Sequence, residues 1–438
     1  MPLILVAGAI LLLLLLIILF KVNAFISFII VSVVLGITAG MPAGSVAGSV
    51  QKGIGETLGS LVMILGFGAM LGKLVADSGA AQRITSMLVR LFGLKNIQWA
   101  LVLTGFIVGI PMFYNVGFVV LIPIVFTVAA STGLPLLYVG IPMLASLSVT
   151  HGLLPPHPSP TAIAGMFGAD IGKTLLYGII IGLPSIVIAG PLFSRTIRNI
   201  KATPIKDFVN LKEMKEEETP GIMVSFVTTL MPVILIGITS LVILLIPGHQ
   251  ELVSLFKFIG DPVIAMLISL LVAIYLLGLA RGKKMGELME SLVHSVSSIT
   301  MVLLIIAGAG GFKQVLIDSG ISDNIAAMLS KTSLSPLFLA WTIAALIRVS
   351  VGSATVAGLT TAGIILPLAT GGSVNKELMV LAIGAGSLTL SHVNDGGFWM
   401  FKEYFNLSVK ETFLTWTVME TLVSVLGLAG VLLLNLII

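Results

Sequence analysis

The side chains able to do chemistry gather where a helix cannot continue. His151 and His157 bracket the run His151-Gly152-Leu153-Leu154-Pro155-Pro156-His157-Pro158-Ser159-Pro160, and four prolines within six residues exclude regular helix there. A second run, His392-Val393-Asn394-Asp395-Gly396-Gly397, joins a histidine to an acid. Histidine gains and loses a proton near neutral pH, so His151, His157, His392 and Asp395 form a candidate set for proton handling. The plainer account of the histidines is a capped helix end with a satisfied imidazole, His157 bracing the proline-rich loop. Two further breaks, at 109–117 and 352–358, carry amide and hydroxyl groups. Asn115, Ser353 and Thr355 suit hydrogen bonding to a hydroxylated ligand, and Thr150, Ser391 and Asn394 extend that set. Arg348, just before Gly352, has three available uses: neutralising a ligand carboxylate, pairing with an acid, or snorkelling to the surface. Glu420 lies inside the last apolar run, with no role assigned.

The elements that hold these groups are apolar helices. Of 438 residues, 57% are hydrophobic and 10% charged, against about 25% charged in soluble domains. Residues 96–169 hold no Asp, Glu, Lys or Arg, nor do 22–51 or 222–247. Each such run is long enough for one or more bilayer crossings of about 20 residues. The first run, residues 1–20, lacks a basic n-region and a small-residue cleavage site and reads as a retained helix rather than a signal peptide. The absence of cysteine excludes disulfides and thiolate metal sites.

The chain reads as two copies of one unit. Asp77-Ser78-Gly79 recurs as Asp318-Ser319-Gly320, and Leu147-Ser148-Val149-Thr150-His151 as Leu388-Thr389-Leu390-Ser391-His392, each 241 residues later. The units run over 1–196 and 220–438. Between them, 197–219 is a charged linker, and the segment Arg195 to Thr219 carries six basic and five acidic residues. Placing Lys21, Arg83, Arg90, Lys95, the linker, Arg281, Lys283 and Lys284 in the cytoplasm follows the positive-inside rule. Spans are then expected near 3–20, 24–40, 55–75, 97–130 (interrupted), 134–168 (broken) and 174–193. The second unit repeats them at 222–247, 259–279, 287–311, 335–371, 376–402 and 411–436. Each unit holds an odd number of crossings, so the copies face opposite ways. The fold class is an all-α integral membrane protein of two inverted-topology repeats, each about five spans plus a re-entrant helical hairpin. Paired helix breaks in inverted units are the sequence pointer to a transporter's central site. Asp77 and Asp318 read as helix caps, and Asp170 and Ser408 as N-caps.

Other functions find less support. Gly168-Ala169-Asp170-Ile171-Gly172-Lys173-Thr174 has one residue too few for a phosphate-binding loop. No HExxH zinc motif occurs, and the His/Asp set fits an enzyme's nucleophile–base pair poorly. A passive channel or facilitator for small organic anions remains the competing reading.

Four segments carry a family likeness: Gly66-Phe67-Gly68-Ala69-Met70-Leu71-Gly72; Ser148-Val149-Thr150-His151-Gly152 with Pro155-Pro156-His157-Pro158; Gly352-Ser353-Ala354-Thr355-Val356-Ala357; and Ser391-His392-Val393-Asn394-Asp395 with Gly397-Phe398-Trp399. With them the whole chain resembles the gluconate permease family of the ion transporter superfamily. The resemblance implies proton-coupled symport of gluconate or a related sugar acid, with D-serine as an alternative substrate within the family. It further implies paired re-entrant hairpins, a scaffold with a moving transport domain, alternating access and a homodimer in the cytoplasmic membrane. The proton would be the coupling ion, with no other cofactor and no nucleic-acid partner. Asn115 departs from the family pattern, in which the first hairpin tip often carries an acid. An amide cannot release a proton, so that function would shift to His151, His392 or Asp395.

Overall fold

The computed structural model describes residues 2–112, 114–204, 214–245, 250–321, 335–370, 374–393 and 395–438. Within these helices the side chain of Asn115 and some others fall outside the description. The candidate Asn394 lies outside the described residues altogether.

The described residues form helices and no strand. In hydrocarbon only the helix satisfies its own N–H and C=O groups within one segment. The first half contains α1 (Pro2–Leu14), α2 (Ala24–Thr38), α3 (Ala43–Asp77), α4 (Ala80–Phe92), α5 (Ile97–Gly109), α6 (Tyr114–Thr132), α7 (Leu136–Leu153), α8 (Pro158–Phe167) and α9 (Ile171–Thr196). The second contains α10 (Ile222–Leu245), α11 (Gln250–Ile259), α12 (Pro262–Arg281), α13 (Met285–Asp318), α14 (Pro336–Val351), α15 (Ala354–Thr370), α16 (Lys376–Gly386), α17 (Gly396–Tyr404) and α18 (Val409–Asn435). Among the described residues, six helices are long and apolar enough to cross a membrane, or up to eight if bent pairs count as single spans.

Several boundaries differ from the sequence expectation. α3 starts at Ala43, well before residue 55, because Gln51, Lys52 and Glu56 mark a polar surface and do not end a helix. It bends by 44° between its halves. The short amphipathic α11 was not expected. Asp77 and Asp318 are the last residues of α3 and α13; Asp77 does not cap α4, which starts after Gly79, and the stretch that Asp318 was expected to cap lies outside the described residues. Their carboxylates accept within their own helices, from Lys73 and Gln314, and Asp77 accepts also from Ser291 Oγ of α13 at 2.9 Å. Each is followed by a serine and then a glycine with positive φ. Asp170 and Ser408 do cap α9 and α18, accepting the N–H of Lys173 and Glu411.

The longest pair, α3 and α13 (35 and 34 residues), crosses on glycine. A Cβ on Gly53 would meet the Gly310 carbonyl at 2.3 Å, and one on Gly310 would meet Thr57 Oγ1 at 2.2 Å. Small residues are what let helix backbones approach in a membrane. α7 and α16 are buried along almost their whole length. They pack together where Gly384 approaches the Gly152 carbonyl.

Outside the apolar body, α4 is amphipathic. It buries Ala80, Ala81, Ile84, Thr85 and Leu88 and turns its polar side to the described end of the linker. Gln82 brackets the backbone of Met214, donating to its C=O at 2.8 Å and accepting from its N–H at 3.2 Å. Arg83 and Arg90 both pair with Glu216. Arg90, then Arg83, holds the Glu216 carboxyl below its ordinary range.

Two measurements test these contacts. Gly310→Ala should lower the melting temperature in detergent by an amount equivalent to about 1–3 kcal/mol of overpacking. Gly55→Ala, whose Cβ meets nothing within 4 Å, should be neutral or slightly stabilising. Because the folded Glu216 is more acidic than the unfolded one, its clamp is intact at neutral pH and is lost as pH falls through the folded value. Protease nicking of the linker should therefore rise on acidification, and Glu216→Gln should nick readily at neutral pH with a flatter pH dependence.

Candidate functional site

Four helices begin at one place. The first residues of α6, α8, α15 and α17, namely Tyr114, Pro158, Ala354 and Gly396, all lie in the wall of one cavity of about 560 Å³. These are the four breaks seen in the sequence, two from each half. A helix start exposes unpaired N–H groups and the positive end of the peptide dipoles. Four converging starts make a setting for an anion. At one of them Gly352 adopts φ 79°, which closes α14 and turns the chain into α15 within two residues. Ser353 then caps α15, its Oγ accepting the Val356 N–H at 3.3 Å.

The cavity's cation is Arg348, on the last turn of α14, with a side chain only 4% exposed. Its Nη2 donates to Asp395 Oδ2 at 2.5 Å. Its Nε and Nη1 have no hydrogen-bond partner among the described residues. Of the three uses open to Arg348, pairing with an acid is thus realised, and two buried donors remain for something else. Asp395 is firmly held. Ser391 Oγ also donates to Oδ2, and the Gly397 N–H donates to Oδ1 at 2.9 Å as the cap of α17. Ser391 in turn accepts from Trp416 Nε1 at 2.7 Å. Trp416 reaches the cavity from a π-helical turn at Phe413–Thr417, the kind of helix irregularity found at functional positions.

The sequence candidates separate by place. Arg348, Asp395, Ser353, Thr355 and His151 line the cavity. His151 Nδ1 is buried with no hydrogen-bond partner among the described residues, and its ring lies against Tyr114 (5.6 Å) and His157 (5.3 Å). His157 sits behind it, with Nε2 2.7 Å from the Gly109 carbonyl. His392 also rests on a carbonyl, Nε2 to Val349 O at 2.9 Å, and is outside the wall. Thr150 is buried and donates to Leu147 O of its own helix. Ser391 acts through Asp395. Asn115 is in the first turn of α6, its side chain outside the description.

Sequence reasoning assigned no role to Glu420, which lines the cavity at 3% exposure and accepts a hydrogen bond from Ser148 Oγ. An acid within an apolar run was the available signal. Trp416 and the α13 face of Ile299, Val302 and Ile305 gave none. Among the described residues no group of three or more potential metal ligands occurs.

Residues 1–437 match the family described as GntP family permease. The chain is 52% identical to the high-affinity gluconate transporter of Escherichia coli K12 over 438 residues, all of both chains. It is 52% identical to the Gnt-II system L-idonate transporter of the same organism over 99% of each. To the gluconate permease of Bacillus subtilis it is 50% identical over all of both. Among solved structures it is similar in fold to the YdaH transporter of Alcanivorax borkumensis, with TM-score 0.66 and 16% identity over 94% of this chain and 97% of that one. It is similar as well to MtrF of Neisseria gonorrhoeae, with TM-score 0.64 and 16% identity over 94% of each. The relatives are named transporters and permeases, not enzymes, and the cytoplasmic membrane is the location expected of such bacterial permeases. This multi-pass membrane chain belongs to the GntP permease family.

Proposed function

We propose that the protein is a secondary active transporter that binds a sugar acid, gluconate or a close relative, in the cavity and carries it with protons by alternating access. The observation that carries this reading is Arg348: a buried cation with two unpartnered N–H donors, in the wall of a cavity where four helices begin. Its size falls within the roughly 300–1,000 Å³ of small-ligand sites. The guanidinium retains N–H groups for charge-assisted hydrogen bonds to a carboxylate, and Ser353 and Thr355 are placed for the hydroxyl groups of a polyol chain. Relatives named for gluconate and L-idonate support the substrate class.

The remaining parts of the reading rest on sequence and likeness. Residues 1–196 and 220–438 are taken as inverted copies joined by the linker 197–219, a view supported by the matching order from α3 and α13 onward. A homodimer and a moving transport domain belong to the same proposal. His151 and Asp395 are the sequence's proton candidates that lie in the cavity wall.

The deciding experiment is uptake of labelled D-gluconate into proteoliposomes under an inward proton gradient, with and without a protonophore. Accumulation abolished by the protonophore is expected. Equilibration without accumulation would point instead to a facilitator. No uptake would remove gluconate, and D-serine and other sugar acids would be tried next. Arg348→Lys keeps the charge but not the planar fork. It should raise the half-saturating gluconate concentration about 10–100-fold, the equivalent of about 1.5–3 kcal/mol for a charge-assisted hydrogen bond.

A further inference from the structure

Two acids share the cavity wall, and their surroundings differ. Asp395 accepts from Arg348 Nη2, from Ser391 Oγ and from the Gly397 N–H. Glu420, in the last helix, has one hydrogen-bond donor among the described residues, Ser148 Oγ. Among the described residues, Arg348 and Asp395 face it from α14 and the α17 cap, and Ser148, His151 and Tyr114 from α7 and α6; α16 and α9, which also pack on α18, place no described titratable group in the wall. Among the described residues the one Lys or Arg in that wall, Arg348, already holds a carboxylate. A ligand carboxylate bound by Arg348 makes two anions on one guanidinium, with a third at Glu420 if that acid is ionised. An uncompensated anion at membrane depth is costly, and a proton on Glu420 removes one.

We propose that Glu420 is the residue that takes up the coupled proton: its carboxylate binds H⁺ to become the neutral acid when the sugar-acid anion binds Arg348, and releases H⁺ when the anion leaves. The Ser148 hydroxyl, from the other half of the chain, keeps its bond to one carboxyl oxygen while the proton rides on the other. The remaining candidates fit this role less well. Asp395 is committed to Arg348. His157 and His392 are set on backbone carbonyls. A protonated His151 would bring a second cation into the wall that already holds Arg348.

The assignment rests on the sugar-acid symport reading, and the test separates the two. Wild type and Glu420→Gln are reconstituted and assayed with D-gluconate in two ways: counterflow into vesicles preloaded with unlabelled gluconate, and uphill uptake under a gradient of one pH unit. One coupled proton sustains about tenfold accumulation there. The amide mimics the protonated acid. The variant should therefore retain counterflow and lose the tenfold accumulation, and its counterflow should no longer vary with pH. Accumulation as in wild type would overturn the proposal. So would a folded variant that has lost counterflow too, since Glu420 would then be reading the substrate. Absence of gluconate transport by the wild type would end the symport reading itself, and this assignment with it. Should Glu420→Gln not reach the membrane, Ser148→Ala serves. Removing a donor to the carboxylate eases protonation, so the pH profile of accumulation should move to higher pH, and an unmoved profile would count against the role.

Discussion

A peptide group that leaves its helix inside hydrocarbon has no water to bond, and each unsatisfied group costs several kcal/mol. This constraint governs where the chain may break. The molecule gathers its breaks rather than scattering them: α6, α8, α15 and α17 all begin at one cavity. The cavity is then both the reason the broken backbone is tolerated and the reason it is useful. At two of the four starts side chains already meet an N–H group, Ser353 at Val356 and Asp395 at Gly397.

Charge follows from that arrangement. Burying Arg348 at membrane depth requires an acid, and Asp395 supplies one. Asp395 in turn needs fixing, which Ser391 and the start of α17 provide, and Trp416 holds Ser391. A chain of four side chains thus runs from α14 through the break at Ser391–Asp395 to α18, and leaves Arg348 Nε and Nη1 without a partner among the described residues. Glu420 sits outside this chain of bonds and answers to Ser148.

What the sequence disclosed and what it hid divide along physical lines. Helix breaks are local, written in Pro155, Pro156, Gly352 and Gly396, so the four breaks and their gathering of polar groups were legible. Pairings across the chain were not. Arg348 and Asp395 are 47 positions apart, and nothing in either neighbourhood selects the partner. Ser148 and Glu420 are separated by 272 positions. Thr150 looked equivalent to the other hydroxyls, but its helix places it against Gly109 and its own backbone accepts its proton. Hydropathy placed most spans but trimmed α3, because polarity marks where a helix meets water and does not mark where it stops.

The crossing of α3 and α13 has a bearing on how the protein is made. Gly53 and Gly310 are 257 positions apart (310 − 53), and neither is covered until the other arrives. At about 5–20 residues per second, the first half waits on the order of ten seconds to a minute in the bilayer with its glycine seam open to lipid. During that interval α3 is a helix whose intended neighbour does not yet exist, so biogenesis depends on a delay set by the ribosome as much as on the final packing.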